Sequence, residues 1–222
     1  MRLHSLDALR GMAVIWMIIF HTAFDLKMFG YMSADFSKGF WYSFPRVIAF
    51  TFLFCVGASL HMAHHPKTNW TVLGKRALKL GGASFLVSLS TYLIFPRQWI
   101  FFGTLHCILV GSLLGGLFIG HRKLMGLVLL MILIAQYGLH YDIKWVASLY
   151  PNQSMDFIPI YPWFWAILSG MLMTPHLSRI RWINHLPPSP FLNFLGKHSL
   201  KIYLLHQPLI YGLIWAYTLL VS

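Results

Sequence analysis

The residues best suited to chemistry in this sequence are His21 and Asp25, a histidine and an aspartate four positions apart inside a long apolar run. Residues with this separation lie on one face of a helix, so their side chains can meet. A carboxylate beside an imidazole orients the ring and raises its basicity, which is what a general base needs. The alternative is structural, with His21 bonded to a neighbouring helix and Asp25 in the membrane interface. Spacing alone leaves both interpretations open.

Two further charged residues, Asp7 and Arg10, stand at the start of the same apolar run. Arg10 precedes His21 by about 16 Å along a helix, so the two groups belong to opposite leaflets. Arg10 is a candidate for binding a phosphate, and snorkelling to the surface or pairing with Asp7 is the structural alternative. Asp7 is equally suited to capping the start of the helix.

Later apolar runs hold polar residues that are candidates for lining the same site. His106 falls in the outer half of its run, at a depth similar to that of His21. His206 and Gln207 stand in the inner half of the last run, before Pro208, which frees a backbone carbonyl and permits a kink. Hydrogen bonds between packed helices would also explain these side chains.

The second apolar run contributes one cation near its outer end and a group of histidines at its inner end. Arg46 is placed to neutralise an anionic intermediate or to pair with an aspartate. His61 and His65 have the i, i+4 spacing of a metal site, but neither these two nor His64 is accompanied by a carboxylate or a cysteine. We therefore expect no metal.

The composition places these candidates in a membrane protein. Hydrophobic residues make up 58% of the 222, charged residues 10%, and the mean hydropathy is +0.65, which excludes a soluble globular domain. A net charge of +12 would suggest nucleic acid in a soluble protein, but here the basic residues stand between apolar runs and act as topology signals. The expected partner is the lipid bilayer, with no nucleic acid.

A helix needs about 20 apolar residues to cross the hydrocarbon core, and this length predicts an all-α, polytopic transmembrane helix bundle of about seven spans. The run 145–150 is compatible with an interfacial helix and leaves an eighth span open. The distribution of Lys and Arg places the N-terminus in the cytoplasm, and the prolines at 187–190 predict a stiff turn before the last span. No repeat or second domain is visible, so residues 1–222 are expected to form a single domain. The predicted spans are 6–26, 44–63, 77–95, 99–120, 124–140, 159–174 and 199–220.

The chain resembles the bacterial branch of the heparan-alpha-glucosaminide N-acetyltransferase catalytic-domain family, part of a broader group of transmembrane acyltransferases. The resemblance rests on four pieces spread over most of the chain, which are specific together and weak alone. They are RLHSLDALRGMAVIWMIIFHTAFDL from Arg2, WIFFGTLHCILVGSLL from Trp99, MDFIPIYPWFWAILSGMLM from Met155 and FLGKHSLKIYLLHQPLIYG from Phe194.

The resemblance implies a multi-pass enzyme of the bacterial inner membrane that moves an acetyl group from cytoplasmic acetyl-CoA to an amino sugar or other glycan on the outer side. His21 would be the general base and Asp25 its orienting partner. The animal lysosomal enzyme uses a histidine in the loop after its first conserved span, whereas residues 27–41 here contain none. Catalysis by His21 is thus an inference about this branch. The substrate- and donor-binding candidates are Asp7, Arg10, Arg46, His106, Trp163, His206 and Gln207.

Other classes of function fit the same residues. A proton-coupled transporter or flippase of a small molecule or lipid-linked sugar also buries His and Asp within the membrane. A non-catalytic membrane subunit that needs a partner is a third interpretation. The sequence leaves open whether an acyltransferase would act on nitrogen or oxygen, and it is compatible with a homo-oligomer.

Overall fold

The computed structural model describes residues 4–141, 154–177 and 189–221, which fold into helices joined by turns with no strand among them. The run 145–150, considered above as an interfacial helix, lies outside the described residues. A π-helical turn, Ile134–Gly138, continues the fifth helix. The helices are α1 (His4–Met28), α2 (Gly39–His64), α3 (Trp70–Ile94), α4 (Thr104–Phe118), α5 (Arg122–Leu133), α6 (Ile160–Leu177), α7 (Pro190–Lys197) and α8 (Ser199–Val221).

Every predicted span coincides with one of these helices, and the all-helical architecture is confirmed. Four helices, α1, α2, α3 and α8, are long and apolar enough to cross a membrane, and α4 is a shorter apolar helix. The count of about seven spans and the cytoplasmic N-terminus stay predictions.

The described residues divide into two compact units. The terminal unit combines Arg2–Phe52 with Ile180–Ser222, and the central unit is Leu53–Arg179, so the boundary lies within α2. The single domain expected over residues 1–222 stays a prediction.

Two glycines let α1 and α7 approach to backbone contact in the terminal unit. A Cβ atom on Gly11 would lie 2.1 Å from the carbonyl oxygen of Leu192, and one on Gly196 would lie 1.9 Å from the carbonyl oxygen of Asp7. Small residues permit such close packing of helices in membranes. Near this contact, Ala13, Val14 and Met17 of α1 pack against Ile48 and Phe52 of α2.

The short helix α7 follows the stiff turn predicted at 187–190, of which positions 187 and 188 lie outside the described residues, and the sequence predicts no helix between this turn and the last span. The Ser189 side chain accepts a hydrogen bond from the Leu192 amide, and Pro190 occupies the first helical position. A serine cap followed by proline is a typical start of a helix. At eight residues, α7 is too short for a span-length criterion to detect.

Helices α1 and α8 run parallel in the terminal unit. Beyond the glycine contact, the rings of Phe29 and Tyr211 lie 5.2 Å apart between centroids. Further along both chains, the Tyr31 hydroxyl donates to the Thr218 hydroxyl at 3.1 Å. Parallel helices cross a bilayer in the same direction, which is what an odd number of spans requires of the first and the last.

In the central unit, glycines again set the closest helix contact, here between α2 and α6. A Cβ atom on Gly57 would lie 1.9 Å from the carbonyl oxygen of Ile167, and one on Gly170 would lie 2.1 Å from that of Phe54. Ile167 is fully buried. The two helices are therefore packed backbone to backbone, as small residues allow.

Candidate functional site

Two histidines of the terminal unit meet in the membrane-spanning part of α1 and α8. The rings of His21 and His206 lie 4.7 Å apart between centroids in an edge-to-face arrangement. Nδ1 of His21 lies 2.9 Å from the Met17 carbonyl oxygen, and Nδ1 of His206 lies 2.7 Å from that of Tyr203. A carbonyl oxygen only accepts hydrogen bonds, so each Nδ1 carries the proton. In the neutral form, both rings therefore carry their basic lone pair on Nε2.

Asp25 and Gln207 form the second pair of this cluster. Asp25 is 0% exposed, and the Gln207 amide nitrogen donates to its two carboxylate oxygens at 3.0 and 3.1 Å. A neutral amide, rather than a cation, is thus the hydrogen-bond donor to this buried carboxylate. The hydrogen bond that the structure shows from the His21 ring goes to the Met17 carbonyl oxygen. A role for Asp25 in orienting His21 therefore stays a prediction.

The cluster contains more hydrogen-bond acceptors than donors. Among the described residues, Nε2 of His206 and Oε1 of Gln207 are buried with no hydrogen-bond partner, and the Asp25 carboxylate lies beside them. Buried polar atoms in native proteins normally have partners, so an orphaned pair calls for an explanation. A ligand that brings N–H or O–H groups would satisfy both atoms.

Aromatic rings line one side of the cluster. The Phe20 ring contacts the His21 ring edge-on, with 5.4 Å between centroids. Phe20 also contacts Phe36, Trp41 and Phe44, at 5.7, 6.5 and 6.4 Å between centroids. These rings give His21 an apolar surrounding on the side of the connection between α1 and α2.

The depth of His206 differs from the sequence prediction. The sequence places His206 in the inner half of the last span and His21 in the outer half of the first, whereas the ring contact puts them at one level. The reason is α7, which occupies the chain just before α8 and packs on the start of α1. The prediction of different depths is therefore wrong.

Asp7 and Arg10 form an ion pair near the start of α1. Nη1 of Arg10 lies 3.0 Å from Oδ1 of Asp7, and Asp7 is 4% exposed. This is the structural alternative considered for Arg10, and it leaves Arg10 about 16 Å along the helix from His21. Binding of the acyl donor by this pair stays a prediction.

The contacts that the structure shows for Arg46 are with Tyr42 and not with an aspartate. Its guanidinium stacks over the Tyr42 ring at 3.6 Å from the centroid and donates to the Tyr42 carbonyl oxygen. The side chain is exposed. Its assignment to the substrate or donor site stays a prediction.

The remaining two candidates, His106 and Trp163, belong to the central unit. The Gly103 amide donates to Nδ1 of His106 at 3.2 Å, so Nε2 carries the proton and lies 3.2 Å from the Ser88 hydroxyl oxygen. That hydroxyl donates in turn to the Ile100 carbonyl oxygen. His106 thus caps the start of α4 and uses both ring nitrogens. Trp163 lies half-buried in the first turn of α6, and for both residues a site-lining role stays a prediction.

Asp156 completes the start of α4, a role that the sequence does not predict. The Thr104 amide donates to its Oδ2 at 2.8 Å, and the Thr104 hydroxyl donates to Oδ1 at 3.2 Å. The carboxylate also lies where a side chain on Gly103 would be. The only signal in the sequence was the Gly-Thr pair before the apolar run, because the aspartate comes from a distant segment.

No group of three His, Cys or Asp side chains within residues 4–141, 154–177 and 189–221 is arranged to hold a metal ion. The absence of a metal site stays a prediction. Cys55 and Cys107 are buried thiols.

The chain matches the model of a protein family. The sequence model described as "Heparan-alpha-glucosaminide N-acetyltransferase, catalytic" matches residues 2–208, nearly the whole length. No curated protein and no solved structure matches the chain.

Proposed function

Because this chain belongs to the heparan-alpha-glucosaminide N-acetyltransferase catalytic-domain family, we propose that it transfers an acetyl group from acetyl-CoA to an amino sugar or other glycan acceptor. The family indicates a membrane acetyltransferase, and the apolar helices give the multi-pass architecture. Acetyl-CoA would enter from the cytoplasm and the acceptor from the outer side of a bacterial inner membrane.

The observation that carries this proposal is the excess of hydrogen-bond acceptors around His21. The Asp25 carboxylate, Oε1 of Gln207 and Nε2 of His206 are buried together with few donors among the described residues. An amino sugar supplies what they lack, since an amine and neighbouring hydroxyls donate hydrogen bonds. A carboxylate also stabilises an ammonium group, so the cluster favours an amine over an anionic acceptor.

The protonation pattern of His21 suits a general base. Its Nδ1 donates to the Met17 carbonyl oxygen, so Nε2 is the nitrogen that can take a proton. As the acceptor amine attacks the thioester carbonyl, a C–N bond forms and the C–S bond breaks. The proton lost by the amine passes to Nε2 of His21 and from there to the departing thiolate.

The two ends of α1 would then serve the two substrates. Asp7 and Arg10 form their ion pair near the start of the helix, where Arg10 is suited to a phosphate of the donor. His206 and Gln207 hold the acceptor beside His21, with Asp25 as the counter-charge.

Purified protein, acetyl-CoA and glucosamine test this proposal directly. Mass spectrometry should detect N-acetylglucosamine with the wild type, and His21→Ala should lower kcat by about a hundredfold or more, the usual contribution of a general base. His4→Ala is the matched control, because His4 is an exposed histidine of the same helix, and it should leave kcat unchanged.

Two outcomes would contradict the proposal. In the first, the wild-type protein neither transfers an acetyl group nor is thermally stabilised by acetyl-CoA, yet it binds or transports an amino sugar in liposomes. That result would favour the carrier interpretation. The other is an unchanged kcat in the His21→Ala variant.

A further inference from the structure

Four basic side chains collect at one end of the central unit. His61 lies in the last turn of α2 and His65 directly follows the helix, with 4.7 Å between their ring centroids. Arg122 begins α5 and His176 stands near the end of α6, with Nη2 of Arg122 2.5 Å from Nε2 of His176. Arg122 is also close enough to His61 for the two to interact electrostatically. We call these four residues the basic cluster.

The sequence segments that carry the basic cluster contain no carboxylate. Segments 60–80, 118–126 and 172–198 contain no Asp or Glu. In the described part of the central unit the acid is Asp156, which binds at the start of α4. Arg122 follows the other end of that 15-residue helix, about 22 Å away. A counter-ion for the basic cluster is therefore expected from outside these segments.

Several hydrogen-bonding groups of the basic cluster are unused within the described residues. Nδ1 of His61 is buried with no partner. Both hydrogen bonds of Arg122 come from Nη2, one to His176 and one to the Leu172 carbonyl oxygen at 3.5 Å. An arginine has five N–H donors in a planar fork, so most of them are available for an anion.

We propose that the basic cluster of His61, His65, Arg122 and His176 binds a phosphate group at the membrane boundary. The arginine fork matches two phosphate oxygens, and the ring N–H groups of the three histidines supply further donors. Basic pockets between transmembrane helices are typical sites for phosphate headgroups of anionic lipids. The same chemistry would hold a soluble phosphate ester. This proposal does not depend on the acyl-transfer reaction.

A structural explanation of the cluster makes a different prediction. Basic side chains near helix C-termini stabilise the helix dipole, and Arg122 does contact a carbonyl of the last turns of α6. Under that explanation, removing a basic residue would lower stability and leave phosphate binding unchanged.

The test uses full-length protein with two phosphate probes. Native mass spectrometry measures retained phosphatidylglycerol after extraction from nanodiscs, with phosphatidylcholine as the neutral lipid. In lipid-free detergent, a thermal shift measures binding of pyrophosphate. Arg122→Gln should weaken binding of the recognised probe by about tenfold or more, and His176→Gln should weaken it severalfold. Arg97→Gln is the matched control, an exposed arginine between α3 and α4, and should change neither readout.

The pattern across the probes identifies the ligand. If the wild type selectively retains phosphatidylglycerol and Arg122→Gln does not, the ligand is a lipid headgroup. If pyrophosphate shifts the melting temperature of the wild type and not that of Arg122→Gln, the ligand is a soluble phosphate. If Arg122→Gln does not fold, the double variant His61→Gln/His65→Gln takes its place. Wild-type protein that binds neither probe, or variants that bind as tightly as the wild type, would overturn the proposal.

Discussion

The amide nitrogen of Gln207 donates hydrogen bonds to both carboxylate oxygens of Asp25, at 3.0 and 3.1 Å. The two residues stand in the first and last spans of the chain and are brought together by the parallel course of α1 and α8. Since Asp25 is fully buried, these two bonds replace part of the hydration that the carboxylate loses.

Replacing Gln207 with leucine is expected to lower the stability of the protein. Leucine has a similar size but no amide group, so both hydrogen bonds to the Asp25 carboxylate are lost. Leaving this buried carboxylate without them should lower the free energy of unfolding by about 1–3 kcal/mol. The measurement is the unfolding midpoint in detergent. Gln98→Leu is the control, because the Gln98 side chain is exposed. Equal midpoints for the two variants would show that the Asp25 bonds do not contribute to stability.

Alanine at Gly196 should loosen the contact of α7 with α1. Its Cβ atom would lie 1.9 Å from the carbonyl oxygen of Asp7, so the helices must separate, at a cost of about 1–3 kcal/mol. Gly11→Ala should behave in the same way. Gly212→Ala is the control, since nothing lies within 4 Å of its added Cβ atom. Thermal melting of the three variants decides, and a Gly196→Ala midpoint at or above that of Gly212→Ala would contradict the close contact.

His106→Ala is expected to act on stability rather than on substrate binding. Both ring nitrogens are engaged at the start of α4, and loss of a helix cap costs about 1 kcal/mol. The melting midpoint should fall, while KM for acetyl-CoA and for glucosamine stays within about twofold of the wild type. A KM raised well beyond that, in a variant that melts normally, would instead place His106 in a substrate site.

The arginines Arg10 and Arg46 should respond differently to the same change to glutamine. Arg10→Gln removes an ion-pair partner of Asp7, which is 4% exposed, and is expected to lower both the melting midpoint and the affinity for acetyl-CoA. Arg46 is exposed and stacked on Tyr42, so its substitution should change activity by less than about twofold. Activity and melting midpoint are measured in parallel for the two variants. A larger loss of activity or of melting midpoint in Arg46→Gln than in Arg10→Gln would contradict the prediction.

The positions of the helices were predictable because long apolar runs are a strong signal for spans. The polar residues within those runs are equally visible in the sequence, and Asp25 and Gln207 are both candidates on that ground. Their hydrogen bond was not predictable, since it joins positions 182 residues apart. Hydropathy does not detect an eight-residue helix such as α7. Because α7 occupies the chain before α8, the predicted depth of His206 is wrong.

The proton positions on His21 and His206 come from the fold as well. Each ring donates to a backbone carbonyl of its own helix, and the sequence contains no rule that selects this bond over one to another side chain. For His106, the apolar run suggested depth in the membrane, whereas its neighbours Gly103 and Ser88 give it a local capping role.

Helix α8 is fastened to the rest of the terminal unit on both sides of the histidine pair. On one side stands the Gly196 contact of α7, and on the other the Tyr31 hydroxyl bonds to Thr218. Between these two contacts, the Gln207–Asp25 bonds and the Phe29–Tyr211 contact also join α8 to the α1 segment. Loss of one contact should be tolerated because the others remain, so the geometry of the histidine pair is protected by redundancy.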